Sequence, residues 1–123
     1  MRGHHDDAPA VIYRIDAAGR SIVFSGDIDA QGLPALERLA RGADLLVFDA
    51  VVLDPPGSPA ILYSLHSPPQ AIGQLAAHDH IGRVLLSHLS PAVDENRQAV
   101  IASIAAHFAG PVAFASDGLR VRP

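Results

Sequence analysis

Two apolar runs in this sequence each end in a side chain that binds cations. IVFSGDIDA (22–30) carries Asp27 behind a Ser-Gly pair, and RVLLSHLSP (83–91) carries His88 behind a serine. Ile22, Val23 and Phe24 read as a buried strand, and Gly26 allows a sharp turn where a side chain would collide. Both runs then deliver their polar residue at the carboxyl end of a strand, the edge where ligands collect in open α/β sheets. A carboxylate and a neutral imidazole suit hard and borderline divalent cations. Singly, Asp27 also reads as a turn residue and His88 as the start of a loop. The matched pair is what points to a metal.

The elements that must hold them follow from periodicity and punctuation. VIYRI (11–15) and SIVFS (21–25) predict two strands joined by a hairpin turn at Gly19. Leu33, Leu36, Leu39 and Ala40 recur at helical spacing, with Pro34 in the first turn and Gly42 as the stop. DLLVFDA (44–50) and RVLLS (83–87) predict buried strands, and VVLDPPGSPA (51–60) a surface loop. Ser67-Pro68 predicts the cap and first turn of a helix carrying Ile72, Leu75 and Ala76. Asp94 predicts the cap of a helix with Val100, Ile101, Ile104 and Phe108 on one stripe, stopped by Gly110-Pro111. VAFA and LRV, around Ser116-Asp117-Gly118, predict a closing hairpin. Strands alternating with helices mean an α/β layered domain, taken as one unit over 1–123.

Composition narrows the partners. Apolar residues make up 49% of the 123 residues, which excludes disorder; in so short a chain that load implies either a sheet covered on both faces or apolar surface meant for a partner. The formal net charge is −4, and all nine basic residues are Arg, dispersed along the chain with no Lys. Nothing resembles a basic stripe, which argues against nucleic acid as the main partner. The absence of Cys excludes disulfides and thiolate metal sites. MRGHHDD lacks the apolar core of a secretory signal and no segment reaches membrane-spanning length, so the expectation is a cytoplasmic protein without a membrane partner.

IYRIDAAGRSIVFSGDIDA, GADLLVFDA, RVLLSHLSP and GPVAFASDGLRV resemble, in that order, the second half of metallo-β-lactamase-fold hydrolases. The likeness is closest to the branch holding ribonuclease Z, related phosphodiesterases and arylsulfatase-like enzymes, and covers nearly the whole chain. It implies half of an αββα sandwich: a mixed sheet with helices packed on one side. It also implies two divalent metals, zinc first, with manganese or iron as alternatives. Carried over, Asp27 bridges the two ions and His88 binds one of them. His5, ahead of the Tyr-Arg-Ile strand, matches a further family ligand, with His4 as runner-up, although MRG followed by histidines also resembles an expression tag. His66, in LHSPPQ, resembles a proton-donating histidine of some ribonuclease Z relatives. Its bland alternative is a solvated neighbour of a capping Ser67. The departures are Ile28, where the family has Thr or Ser, and Asp49, where this branch often has Glu.

The family's H-x-H-x-D-H sequence, source of four ligands, is absent. His78-Asp79-His80 is the nearest text, but it falls where a helix ends, and the expectation there is solvated histidines near the helix's carboxyl end. Divided between two metals, His5, Asp27 and His88 would give each ion at most two protein bonds, where catalytic zinc needs three and a water. The family reaction is attack by a metal-bridging hydroxide on a small ester or phosphodiester. The expectation is a chain inactive alone: a fragment, truncated product or split protein whose partner is an amino-terminal half or a second copy. Two rival readings are a non-catalytic scaffold dimerising through its sheet, and a receiver-like signalling domain with Asp49 as phospho-acceptor. The second lacks the Lys such domains need.

Overall fold

The computed structural model describes residues 1–123. Its framework is a five-stranded sheet in consecutive order: β1 (Tyr13–Ala17), β2 (Arg20–Phe24), β3 (Leu45–Asp49), β4 (Val84–Ser87) and β5 (Val112–Phe114). β1 and β2 form an antiparallel hairpin, turning through Ala18 and Gly19 at positive φ, and every later pair is parallel. The parallel steps use helical crossovers: α1 (Leu33–Ala40) into β3, α2 (Pro69–His78) into β4, and α3 (Pro91–Glu95) with α4 (Arg97–Ala105) into β5. This consecutive order differs from the 2-1-3-4-5 order of receiver-type doubly wound sheets.

One face of the sheet carries the core. Val23, Leu46 and Val84 line up across the register, as do Phe48 and Leu86, and all five are fully buried. Their partners are Leu36 and Ala40 of α1, Ile72, Leu75 and Ala76 of α2, and Val100 and Ile104 of α4. Gly73 is where α2 crosses α4. A Cβ there would lie 2.7 Å from the Ile104 carbonyl oxygen, so only glycine lets the helices approach this closely.

The opposite face is apolar but has no helix over it. Tyr13, Phe24, Val47, Leu85 and Ala113 form one cross-strand row, and Ile15, Ile22 and Leu45 form a second. Tyr13 is 62% and Phe24 38% exposed. A mixed sheet with helices on one side is therefore present, and parallel strands bare on one face are uncommon in water.

Several local expectations are corrected. The closing hairpin is absent. The turn at Ser116–Leu119 forms, but LRV pairs with no strand, and the Arg83 guanidinium reaches the Arg122 carbonyl instead. Ser67 does not cap α2, because its hydroxyl donates to the Ile28 carbonyl at 3.0 Å. Asp54, from the preceding loop, accepts the Gln70 N–H at 2.9 Å and serves the start of that helix from a distance. The predicted helix after Asp94 is two. Ser90 caps α3 by accepting the Val93 N–H, while Asp94 lies inside α3 and pairs with Arg97. Ile101 turns outward, 38% exposed, whereas Val100, Ile104 and Phe108 are buried. The 51–60 loop runs into a 3-10 turn at Ala60–Ser64.

Candidate metal centre

The carboxyl ends of β2, β3 and β4 meet at one edge of the sheet. After β2 the chain passes Ser25 and turns at Gly26, whose φ is +61° and whose missing Cβ would sit 3.2 Å from the Val11 carbonyl oxygen. That turn presents Asp27. β3 ends in Asp49, and β4 ends in Ser87, directly across the register from Asp49. His88 follows at φ +51°, a left-handed conformation uncommon for non-glycine residues but one that histidine tolerates better than most.

Two serines fix the β3 end. The Ser87 hydroxyl donates to Asp49 Oδ1 at 2.8 Å, and Ser25 Oγ accepts the Asp49 N–H at 3.2 Å while donating to the Gly26 carbonyl. Ser87 thus holds the Asp49 carboxylate, and Ser25 holds its backbone N–H.

His88 Nδ1 lies 2.8 Å from Asp27 Oδ1 and 3.5 Å from Asp49 Oδ2. Two histidines approach Asp27 from the other side. His5 Nδ1 is 2.6 Å from the Leu65 carbonyl oxygen, and its Nε2 is 3.8 Å from Asp27 Oδ2. A carbonyl only accepts, so Nδ1 carries the proton and the neutral ring keeps its lone pair on Nε2, facing the carboxylate. This is how a metal-binding imidazole is usually oriented. His66 Nδ1 lies 3.9 Å from Asp27 Oδ1, is buried, and has no hydrogen-bond partner. His66 is therefore no solvated neighbour: its side chain is only 9% exposed. The hydroxyl of Ser67, the next residue, ties this segment to Ile28, the residue after Asp27.

His4, the runner-up, is engaged elsewhere. Its Nδ1 pairs at 2.6 Å with Asp29, which also accepts the N–H groups of Asp6, Gln31 and Gly32. Those hydrogen bonds outweigh burial and hold the Asp29 carboxyl below the usual carboxylate range.

Electrostatics separates the central groups. Burial pulls the Asp27 pKa up, but a hydrogen bond with Asp49 and the contact and charge of His88 overcome it and leave the pKa lowered. Asp49 goes the other way: burial raises it, Ser87 opposes, and the Asp27 charge adds to the rise. The pair titrates together, with Asp27 the member that stays charged. The hydrogen bond to Asp27 raises His88, whereas burial lowers His66 despite the Asp27 charge.

Asp27 is shared by two groups able to hold an ion: His5, Asp27 and His66, and Asp27, Asp49 and His88. Within each, one ligand atom per residue lies within 4.8 Å of the others. The donors suit divalent cations, and the orphaned His66 nitrogen is what a cation would satisfy. Each group offers three candidate protein donors, not the two expected from the motifs alone. The additions are Asp49, which the sequence offers as a departure from Glu and as a phospho-acceptor, and His66, which it offers as a proton donor or a solvated neighbour of Ser67.

His78 and Asp79 lie at the opposite, amino-terminal edge of β4, away from these groups. The His78 side chain is 66% exposed. Neither stands in for a missing ligand.

No protein-family model matches this sequence. Ribonuclease Z of Myxococcus xanthus is 32% identical over 103 residues, covering 84% of this chain and 33% of the relative. Ribonuclease Z of Thermobifida fusca is 33% identical over 114 residues, covering 88% of this chain and 36% of the relative. The metallo-β-lactamase fold protein YhfI of Bacillus subtilis matches 97% of this chain with a TM-score of 0.79, at 19% identity. This chain has a metallo-β-lactamase fold. Human tRNase Z, short form, shares it over 98% of the chain, with a TM-score of 0.67 and 23% identity. The match takes in 46% of YhfI and 40% of the human protein. The chain thus spans between a third and a half of these relatives' lengths, in accord with the carboxyl-terminal half of the metallo-β-lactamase fold. No helix is long and apolar enough to cross a membrane.

Proposed function

We propose that this chain supplies the Asp27-bridged part of a dinuclear, metal-dependent hydrolase centre acting on phosphodiesters or similar small esters. One observation carries the reading: a single carboxylate shared by two adjacent groups of imidazole and carboxylate donors. His5, Asp27 and His88 hold the ions, which are zinc or, with the same donors, manganese or iron. When bound, such a pair supplies an activated water and stabilises charge developing on the ester oxygens. The chain's residues do the rest. Leu65 and Ser87 orient His5 and Asp49, burial and the neighbouring Asp27 charge hold the Asp49 pKa above the usual carboxylate range, and His66, buried beside Asp27, is the imidazole placed to pass a proton at the scissile bond.

Two of the relatives carry ribonuclease in their names. A ribonucleic phosphodiester belongs to the proposed substrate class, but a net charge of −4 with no Lys leaves little here to grip a nucleic-acid backbone. That recognition would come from elsewhere. So would the four H-x-H-x-D-H donors, from a second layer lying on the bare face of the sheet.

The test is a fusion of this chain behind an H-x-H-x-D-H-bearing amino-terminal layer of a family member, assayed with bis(p-nitrophenyl) phosphate. Metal-dependent turnover is expected from the fusion and not from the chain alone. Turnover that survives Asp27→Asn in the fusion overturns the proposal. His66→Ala refines it: lost turnover with full metal content marks proton transfer, and lost metal marks a ligand.

The bare face also favours a second reading, a scaffold that pairs through its sheet. Phe24→Asp puts a charge on that face, at the carboxyl end of β2. If two copies associate there, sedimentation should show the dimer weakened at least about tenfold, since burying one aromatic ring exceeds the corresponding 1.4 kcal/mol. An unchanged self-association constant rules out this surface.

A further inference from the structure

We propose that Glu37, His78 and Asp79 form a separate divalent-cation site, one that ties α1 to the end of α2 at the sheet edge opposite Asp27. One ligand atom from each residue lies within 4.8 Å of the other two. Asp79 supplies the independent sign of a ligand. It is 0% exposed, and its Oδ2 has no hydrogen-bond partner. A carboxylate oxygen buried without a partner is costly, and such groups are normally neutralised or paired.

The surroundings raise that cost. Asp79 is the C-cap of α2, where the last carbonyls disfavour an anion and favour a cation. Glu37 stands in the last turn of α1, so two helix carboxyl ends and two carboxylates converge. The backbone at Asp79 is already committed. Its N–H donates to the Leu75 carbonyl at 2.9 Å, and its carbonyl accepts the Gly42 N–H at 2.7 Å. The carboxylate is thereby held in place while its free oxygen gains nothing from the main chain.

The neighbouring basic side chains do not reach that oxygen. Arg41 Nε is 3.9 Å from Oδ1, on a side chain 69% exposed, and His78 Nδ1 is 3.1 Å from the same Oδ1. An exposed pair at Arg41's distance is weak and screened by salt. One imidazole and two carboxylates, with no thiolate, select a borderline divalent cation of the zinc type. Bound there, it would cross-link α1 to the end of α2, independently of any chemistry at Asp27.

The probe is Zn2+ itself, titrated into the full chain carrying Asp27→Asn, which removes the carboxylate shared by the other two groups. One equivalent should bind and raise the melting temperature. His78→Ala and Glu37→Gln should each weaken that binding at least about tenfold, the smallest loss seen even for outer-shell partners. Both replaced side chains are outside the buried core, so folding should persist. Arg41→Ala should leave zinc binding intact or tighten it. Failure of the Asp27→Asn chain to bind zinc, or binding indifferent to both His78→Ala and Glu37→Gln, overturns the proposal. A second measurement needs no altered centre: at zinc concentrations near the site's dissociation constant, His78→Ala alone should lower the zinc bound by the otherwise unaltered chain, and unchanged occupancy across that range overturns the proposal too. If Asp27 holds no metal, the unaltered and Asp27→Asn chains will both show this one equivalent, which separates the two outcomes.

Discussion

Asp27→Asn should remove metal from both groups at the carboxyl edge at once. The substitution keeps the size and one acceptor oxygen but deletes the negative charge, and Asp27 is the only residue common to the two groups. Changing His5 or His88 alone leaves the other group at this edge intact and should spare its metal. Loss of even an outer-shell partner costs 10–100-fold in affinity, so loss of the shared ligand should cost at least about 100-fold in each group. Equilibrium dialysis followed by elemental analysis reads the result. The fold should tolerate the change, because Asp27 is a third exposed and packs against polar neighbours. Metal content equal to that of the unaltered chain would mean that Asp27 is not a ligand.

Phe48→Ala should cost about 3–5 kcal/mol of stability, the range for emptying a fully buried aromatic site. Phe48 is fully buried in the middle of the core, on β3, and belongs to the single cluster that joins the sheet to α1, α2 and α4. Domains of this size are stable by only about 5–15 kcal/mol, so the variant stands near the folding threshold. In urea the midpoint should fall by roughly 2 M, given slopes of about 1–3 kcal/mol per molar. The next residue is Asp49, whose carboxylate and N–H are held by Ser87 and Ser25. A weaker metal affinity beside the lost stability would show that the core also sets the geometry of the edge. A midpoint within a few tenths molar of the original would contradict the packing described for β3.

Much of this architecture was legible from local patterns, because those patterns are local physics. Apolar runs ending in Ser-Gly-Asp and Ser-His gave β2 and β4 with their terminal groups, and Gly19 marked the hairpin. What escaped depends on residues far apart in sequence. Nothing near Ser67 shows that its hydroxyl goes to Ile28, 39 residues back, and a serine before prolines reads naturally as a cap. The orientation of His5 rests on the Leu65 carbonyl, 60 residues on, and His4 pairs with Asp29, 25 residues on, so nothing local to the His4-His5 pair distinguishes the two rings. Asp49 was hidden by its own strand: the last carboxylate of an apolar run looks like a strand terminus until Ser87 is found opposite. The LRV tail misled because a Gly-centred turn is necessary for a hairpin but not sufficient. Its Arg-rich residues form no ladder with β5.

Side chains in a strand alternate between faces, so Asp49 shares a side with Val47, and Ser87 with Leu85. The greasy wall and the ionisable edge are thus one continuous surface turned the same way. Anyone who makes this protein easier to handle by planting charges on Phe24, Val47 or Leu85 would at the same time spoil the seat for whatever roofs the ions. Better behaviour in solution and competence at the edge would pull against each other, residue by residue.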